Sequence, residues 1–190
     1  MTPETILDFW FGTPDAPEYG RERKEWFVKD PAFDERIRSL FLPHYRQAAA
    51  GELENWQEQP LSCLALIITL DQFPRNLFRG TSSAFASDRL ALQYAEQAVE
   101  RGFDRSLLPV QRWFIYLPFE HSEDIEVQRK SLQLWETLRD DPGSAGPIDY
   151  ARRHYEVIAR FGRFPHRNAI LGRKSTPDEE EFLRQPGSSF

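Results

Sequence analysis

An all-α fold of seven to nine helices with short connections is what this sequence predicts, and three observations carry that expectation. No stretch alternates apolar and polar residues well enough to make a half-buried strand. Helix-start chemistry, a capping residue followed by proline, recurs along the chain. Apolar residues spaced three and four apart follow those starts. At 190 residues, with 40% hydrophobic and 14% aromatic content, the chain is long enough to bury a core as one domain, residues 1–190.

The elements follow in order. Thr2-Pro3 caps a helix carrying Ile6, Leu7, Phe9 and Trp10. Asp30-Pro31 opens a second helix whose apolar face is Phe33, Ile37, Leu40 and Phe41. Pro43 is expected to kink it and Gly51 to end it. Leu61, Leu64, Ala65 and Ile68 make one stripe of the next helix, and Leu66, Ile67 and Leu70 fill its other side. A helix apolar all round is a buried one, so this is the predicted centre of the fold, with Asp71 at its end. Asp88 opens a helix that stops at Gly102. The segment from Leu107 to Leu117 is short and aromatic, with Trp113, Phe114 and Tyr116. Ser122 is expected to cap a helix carrying Ile125, Leu132, Trp135 and Leu138. Asp140 to Pro147 reads as a loop, followed by a helix from about Ile148 to Phe161. Thr176-Pro177-Asp178-Glu179 is a capping box that begins a last short helix. The aromatic residues read as core.

Composition bounds the partners. A formal net charge of -6 argues against a general nucleic-acid binder. No apolar run is long enough to span a bilayer, and the N-terminus lacks a signal-peptide layout, so a cytoplasmic protein is expected with no membrane partner. The single cysteine, Cys63, lies in an apolar run and reads as a small core residue, which excludes an internal disulfide. No glycine-rich phosphate loop, nucleophile elbow or His-Glu-x-x-His pattern is present, and no metal or cofactor is expected. Tyr150 to Lys174 holds seven Arg or Lys residues against one acid, Glu156. Such a segment is either a basic helix paired with acidic neighbours or an anion-binding face.

The candidate chemistry sits at three junctions. Phe73-Pro74-Arg75-Asn76 and Phe164-Pro165-His166-Arg167-Asn168 are two versions of one theme, each after an apolar helical run. Pro74 and Pro165 are expected to stop their helices. The residues that follow place a guanidinium beside an amide, a pairing suited to carboxylate or phosphate. The third junction carries Glu120, His121, Glu123 and Asp124, an acidic cluster around one imidazole. Asp71, at a buried helix end, needs a cationic or donor partner, with Arg75, Arg79 and the later arginines as candidates. His44 and His154 read as structural.

Three functional expectations follow. In the first, the turns line a cleft that binds a small anionic molecule or an acidic peptide through Asp71, Arg75, Asn76, Glu120, His121, Arg163, His166, Arg167 and Asn168. In the second, His121 or His166 moves a proton, oriented by Glu120 or Asp71, and the protein is a small-molecule enzyme. In the third, these groups only lock helix ends together.

Strings at all three junctions carry a family resemblance. Leu70-Asp71-Gln72-Phe73-Pro74-Arg75-Asn76, Leu117-Pro118-Phe119-Glu120-His121-Ser122-Glu123 and Arg160-Phe161-Gly162-Arg163-Phe164-Pro165-His166-Arg167-Asn168 resemble the bacterial family called domain of unknown function 924. Leu7-Asp8-Phe9-Trp10-Phe11-Gly12 and Ser175-Thr176-Pro177 fit it too, so the resemblance covers nearly the whole chain. It implies helices stacked as antiparallel hairpins, as in tetratricopeptide-repeat proteins. It carries no catalytic residues.

Overall fold

Proline as the first residue marks the start of five helices, and a side-chain cap the start of three. The computed structural model describes residues 2–188. They form α1 (Pro3–Phe11), α2 (Pro31–Ala49), α3 (Pro60–Leu77), α4 (Asp88–Glu100), α5 (Pro109–Glu120), α6 (Ile125–Glu136), α7 (Ala145–Phe161) and α8 (Pro177–Leu183). Short 3-10 turns link several of them, and there is no strand among the described residues. Asp30 Oδ1 accepts from the amides of Ala32 and Phe33 at 2.8 and 3.2 Å and starts α2. Thr176 and Glu179 exchange hydrogen bonds at 3.3 and 2.7 Å and start α8. Thr2 holds the cap position of α1 without a side-chain cap bond.

The cap of α6 differs from expectation. Asp124, not Ser122, accepts from the amides of Glu126 and Val127. Ser122 Oγ instead accepts from the Asp124 amide at 3.1 Å. A carboxylate at the positive end of a helix outcompetes a hydroxyl two residues earlier. The segment read as a loop also contributes more than expected, because α7 begins at Ala145 and takes Pro147 into its first turn, where a proline is tolerated.

Pro74 and Pro165 do not end their helices as expected. Pro43, Pro74 and Pro118 lie inside α2, α3 and α5. Pro74 removes the amide that would bond the Leu70 carbonyl four residues back. Ser87 Oγ, from the segment entering α4, donates to that carbonyl at 2.6 Å and replaces the lost bond. α3 therefore runs on to Leu77, and Asp71 sits within the helix rather than at its end. α7 is ended by Gly162 in the left-handed region at φ 68°, and Pro165 instead opens the turn Pro165–Arg167. The two Phe-Pro strings thus adopt different local structures.

α3 is the hub. Every residue from Cys63 to Pro74 is buried, and the helix packs on α1, α2, α4 and α5. Two expected core positions are half-exposed, Leu40 at 46% and Leu61 at 50%. Leu40 lies about 100° round the helix from Phe41, and Ile37 and Phe41 take the inward face. All five tryptophans are buried. Trp10 meets Trp26, Phe33, Phe73 and Phe114 with ring centroids 5.4–5.9 Å apart, binding α1 to α2, α3 and α5. A smaller cluster of Val157, Ile158 and Phe164, flanked by Phe161 and Phe182, joins α7 to α8. No helix among the described residues is long and apolar enough to cross a membrane.

Candidate functional site

Three segments distant in sequence meet over the last turns of α3: the start of α4, the end of α5 and the Pro165 turn. Asp71 is 0% exposed. Its Oδ1 lies 2.7 Å from His121 Nδ1, its Oδ2 accepts from Gln72 Nε2 at 2.6 Å, and Arg75 Nη1 stands 3.4 Å from Oδ1. Arg75 donates to the Asp71 carbonyl at 2.5 Å and spends both ends of its fork on Asp88, at 2.9 and 3.1 Å. Arg167 reaches the same aspartate at 3.6 Å and donates to the His121 carbonyl at 3.1 Å. Its guanidinium carbon lies 4.6 Å from the Phe85 ring centre and 4.4 Å from that of Phe164. The arginines of the two Phe-Pro strings therefore converge on one carboxylate, Asp88.

The electrostatics set the protonation of the dyad. Burial alone pushes the Asp71 carboxyl up, but Arg75 and the His121 hydrogen bond hold it down at about 2. Burial and Arg75 push His121 below its ordinary value against the pull of Asp71. At neutral pH the pair is an aspartate and a neutral imidazole. A carboxylate only accepts, so the imidazole hydrogen sits on Nδ1. No side chain among the described residues bonds His121 Nε2, and the residue keeps 12% side-chain exposure. Burial and the neighbouring Arg75 lower Arg167 to about 10, so it stays charged at neutral pH.

A second carboxylate–imidazole pair adjoins the first. Glu120 Oε1 lies 2.9 Å from His154 Nδ1, which also faces the Tyr150 carbonyl at 2.9 Å. Both neighbours accept, so this nitrogen also carries the hydrogen. The two imidazoles stand 6.4 Å apart, and His154 abuts Phe164 at 5.4 Å. His154, which reads as structural in the sequence, is part of the site. Its signal is its place on the apolar face of α7 beside Ala151, Val157 and Ile158. Asp88 and Phe85 are also missed by sequence reasoning. A helix-opening aspartate and a lone phenylalanine carry no pattern that points here.

Other expected residues go elsewhere. Asn76 donates to Asp34 at 2.8 Å, where Arg79 also binds in bidentate fashion. Arg163 is spent on Glu179 at 2.7 and 2.8 Å. Asn168 donates to Ser175 and Glu179 and accepts from Arg173, and Arg173 forks onto Glu123. The Asn76 and Arg79 contacts tie the end of α3 to α2, and the Arg163, Asn168 and Arg173 contacts tie α8 and the Pro165 turn to the rest of the molecule. Much of the basic segment is thus paired with acids, as Arg152 with Glu136 and Arg153 with Asp149 also show. His166 packs on Phe164 at 5.6 Å and is pushed by burial and Arg167 to about 4.

These shifts fix the sign of the pH dependence. An unfolded histidine titrates near 6.5, whereas folded His121 and His166 both titrate lower. Below pH 6.5 the unfolded chain binds protons that the folded chain refuses, so stability falls as pH drops. The depressed carboxyls Asp71 and Glu179, each near 2, add stability that is lost only from about pH 4 downward. The melting temperature is expected to fall between pH 6.5 and 4, and His166→Asn to flatten that slope. A melting temperature constant over this range would contradict the assignment.

The fold and the site define an all-helical protein whose polar groups converge on a buried aspartate–histidine pair. The chain belongs to the family described as bacterial protein of unknown function (DUF924), whose pattern matches residues 6–187. It is similar to the protein of unknown function ATU0120 from Agrobacterium tumefaciens. That solved structure aligns with a TM-score of 0.84 at 41% sequence identity, over 95% of this chain and 96% of that one. No curated protein matches.

Proposed function

We propose that the protein is an enzyme that moves a proton on a small anionic substrate, with His121 as the acid–base group. The observation that carries this reading is the 2.7 Å contact between Asp71 Oδ1 and His121 Nδ1. It orients the ring and leaves Nε2 as the base, the logic of any carboxylate-oriented imidazole. Arg75 keeps Asp71 ionised and His121 neutral, the state in which a histidine accepts a proton. Arg167 supplies positive charge for the anionic group. Asp71, Arg75, Asp88 and Arg167 are each 1–20% exposed in their side chains, which favours a small molecule over an acidic peptide. The Glu120–His154 pair offers a second proton-holding group alongside. The stepwise packing of α2 on α3 through α6 on α7 supports a tetratricopeptide-like stack of hairpins. A cytoplasmic location completes the proposal, in keeping with a buried free thiol at Cys63.

The test is proton NMR in deuterated buffer with a panel of small carboxylates, phosphate esters and carbon acids bearing an anionic group. One experiment reads both hydrolysis and deuterium wash-in. At least one compound is expected to turn over, with His121→Ala reducing kcat/KM by roughly 10²–10⁴-fold and raising no new pH limb. Turnover indifferent to His121→Ala, or no turnover across the panel, would count against the reading.

A further inference from the structure

A hollow of about 460 Å³ opens between the end of α4, the turn Phe103–Ser106, α5 and α6. That is within the usual range of small-molecule sites, about 300–1,000 Å³. Its wall carries three cations, Arg105, Arg112 and Lys130, and one acid, Asp104. Elsewhere most arginines that approach the interior are matched with carboxylates: Arg75 with Asp88, Arg163 with Glu179, Arg173 with Glu123. Arg105, Arg112 and Lys130 have no carboxylate within ion-pair distance among the described residues. In a chain of formal net charge -6, three unmatched cations in one hollow are a local arrangement, not a reflection of composition.

The floor beneath them is built. Tyr116 is 0% exposed and donates its hydroxyl to Asp104 Oδ2 at 2.8 Å. It accepts from Arg112 Nε and Nη2 at 3.1 and 2.8 Å, and Arg112 Nη2 also donates to Thr137 Oγ1 at 2.7 Å. Neutral hydroxyls therefore hold the guanidinium along one edge, with the Asp104 carboxylate on the far side of the Tyr116 hydroxyl rather than in direct contact. Asp104 is 5% exposed, and its Oδ1 is a buried acceptor with no donor among the described residues. A buried carboxylate oxygen left without a donor is costly and calls for a partner. A bare anion would leave that oxygen unmet and add repulsion to it.

We infer that this hollow binds a small anion that also carries a hydroxyl or ammonium donor. The anionic group is taken by Arg105, Arg112 and Lys130, and the donor by Asp104 Oδ1, which is closed to solvent in this structure and is uncovered by a side-chain shift as the ligand seats. Calorimetric titration of the full chain tests this with matched pairs: glycerate against propionate, and glycerol 2-phosphate against ethyl phosphate. The two pairs separate a carboxylate from a phosphate ligand. In at least one pair the hydroxylated compound is expected to bind about tenfold or more tightly than its partner. Lys130→Gln and Arg105→Gln should each weaken that binding by about tenfold, since both side chains are exposed and hold no part of the floor. His121→Ala should leave it unchanged, which keeps this site distinct from the proposed catalytic one. The inference is overturned if no compound binds, if the hydroxyl makes no difference in either pair, or if the binding survives Lys130→Gln and Arg105→Gln. Binding lost in His121→Ala but not in Lys130→Gln would overturn it equally, by placing the ligand at the dyad.

Discussion

Asp71→Asn is expected to cost about 3–5 kcal/mol of stability, the range for breaking a buried ion pair by removing one partner. At roughly 2–4 °C per kcal/mol for a chain of this size, the melting temperature should fall by very roughly 6–20 °C. The carboxylate is fully buried, and both oxygens are in use, Oδ1 with His121 and Oδ2 with Gln72. Asparagine keeps the shape and puts an NH₂ where one oxygen accepted. That group then faces a donor, either the Nδ1 hydrogen of His121 or the amide of Gln72. Arg75 loses one of its two anionic neighbours and keeps only Asp88. Thermal and urea unfolding at pH 7 measure the loss. The deficit should narrow from about pH 4 downward, as the unfolded chain's carboxyl takes its proton, and close by about pH 2, where folded Asp71 takes one too. Near-wild-type stability would show that the pair is not buried and coupled as described. The same variant should lose turnover, because an asparagine cannot hold the imidazole as an anion does.

Phe73→Ala should cost about 3–5 kcal/mol by a different route, loss of buried area plus the cavity left behind. Phe73 opens the first Phe-Pro string, yet it is 0% exposed and faces the core rather than the polar site. Its ring stacks on Phe41 at 4.9 Å and tilts against Trp10 at 5.8 Å. The expected result is a lower urea midpoint with the slope unchanged. A loss under 1 kcal/mol would mean that the surrounding aromatic residues collapse into the gap. The contrast between Phe73 and Asp71 shows how one short string serves two purposes. Neighbouring residues on α3 point to different sides of the helix, one set into the core and one toward α5 and the Pro165 turn.

The expectation that proline ends a helix fails at Pro74 for a reason outside its own segment. A proline removes one backbone bond, and the cost is offset when another chain segment supplies a donor, as Ser87 does. No local pattern announces that. Burial was better signalled: the run from Cys63 to Leu70 is apolar on every face, and such a helix has no side to give to water. Leu40 and Leu61 show the limit of the same reasoning, since a helix stripe drawn from composition alone is wider than the face that packs.

Acting alone, the sequence determined the all-helical class, the caps at Asp30 and Thr176, the central place of α3 and the need of Asp71 for a partner. These depend on residues within a turn or two of each other, where spacing translates directly into geometry. Only the tertiary structure decided which partner each charge received. Arg75 and Arg167 meet Asp88, Arg163 is drawn off to Glu179, and His154 joins Glu120 instead of filling the core. Ion pairs and imidazole contacts act through space between segments far apart in the chain. They have no period and no required spacing, so the folded arrangement alone selects among chemically equal candidates.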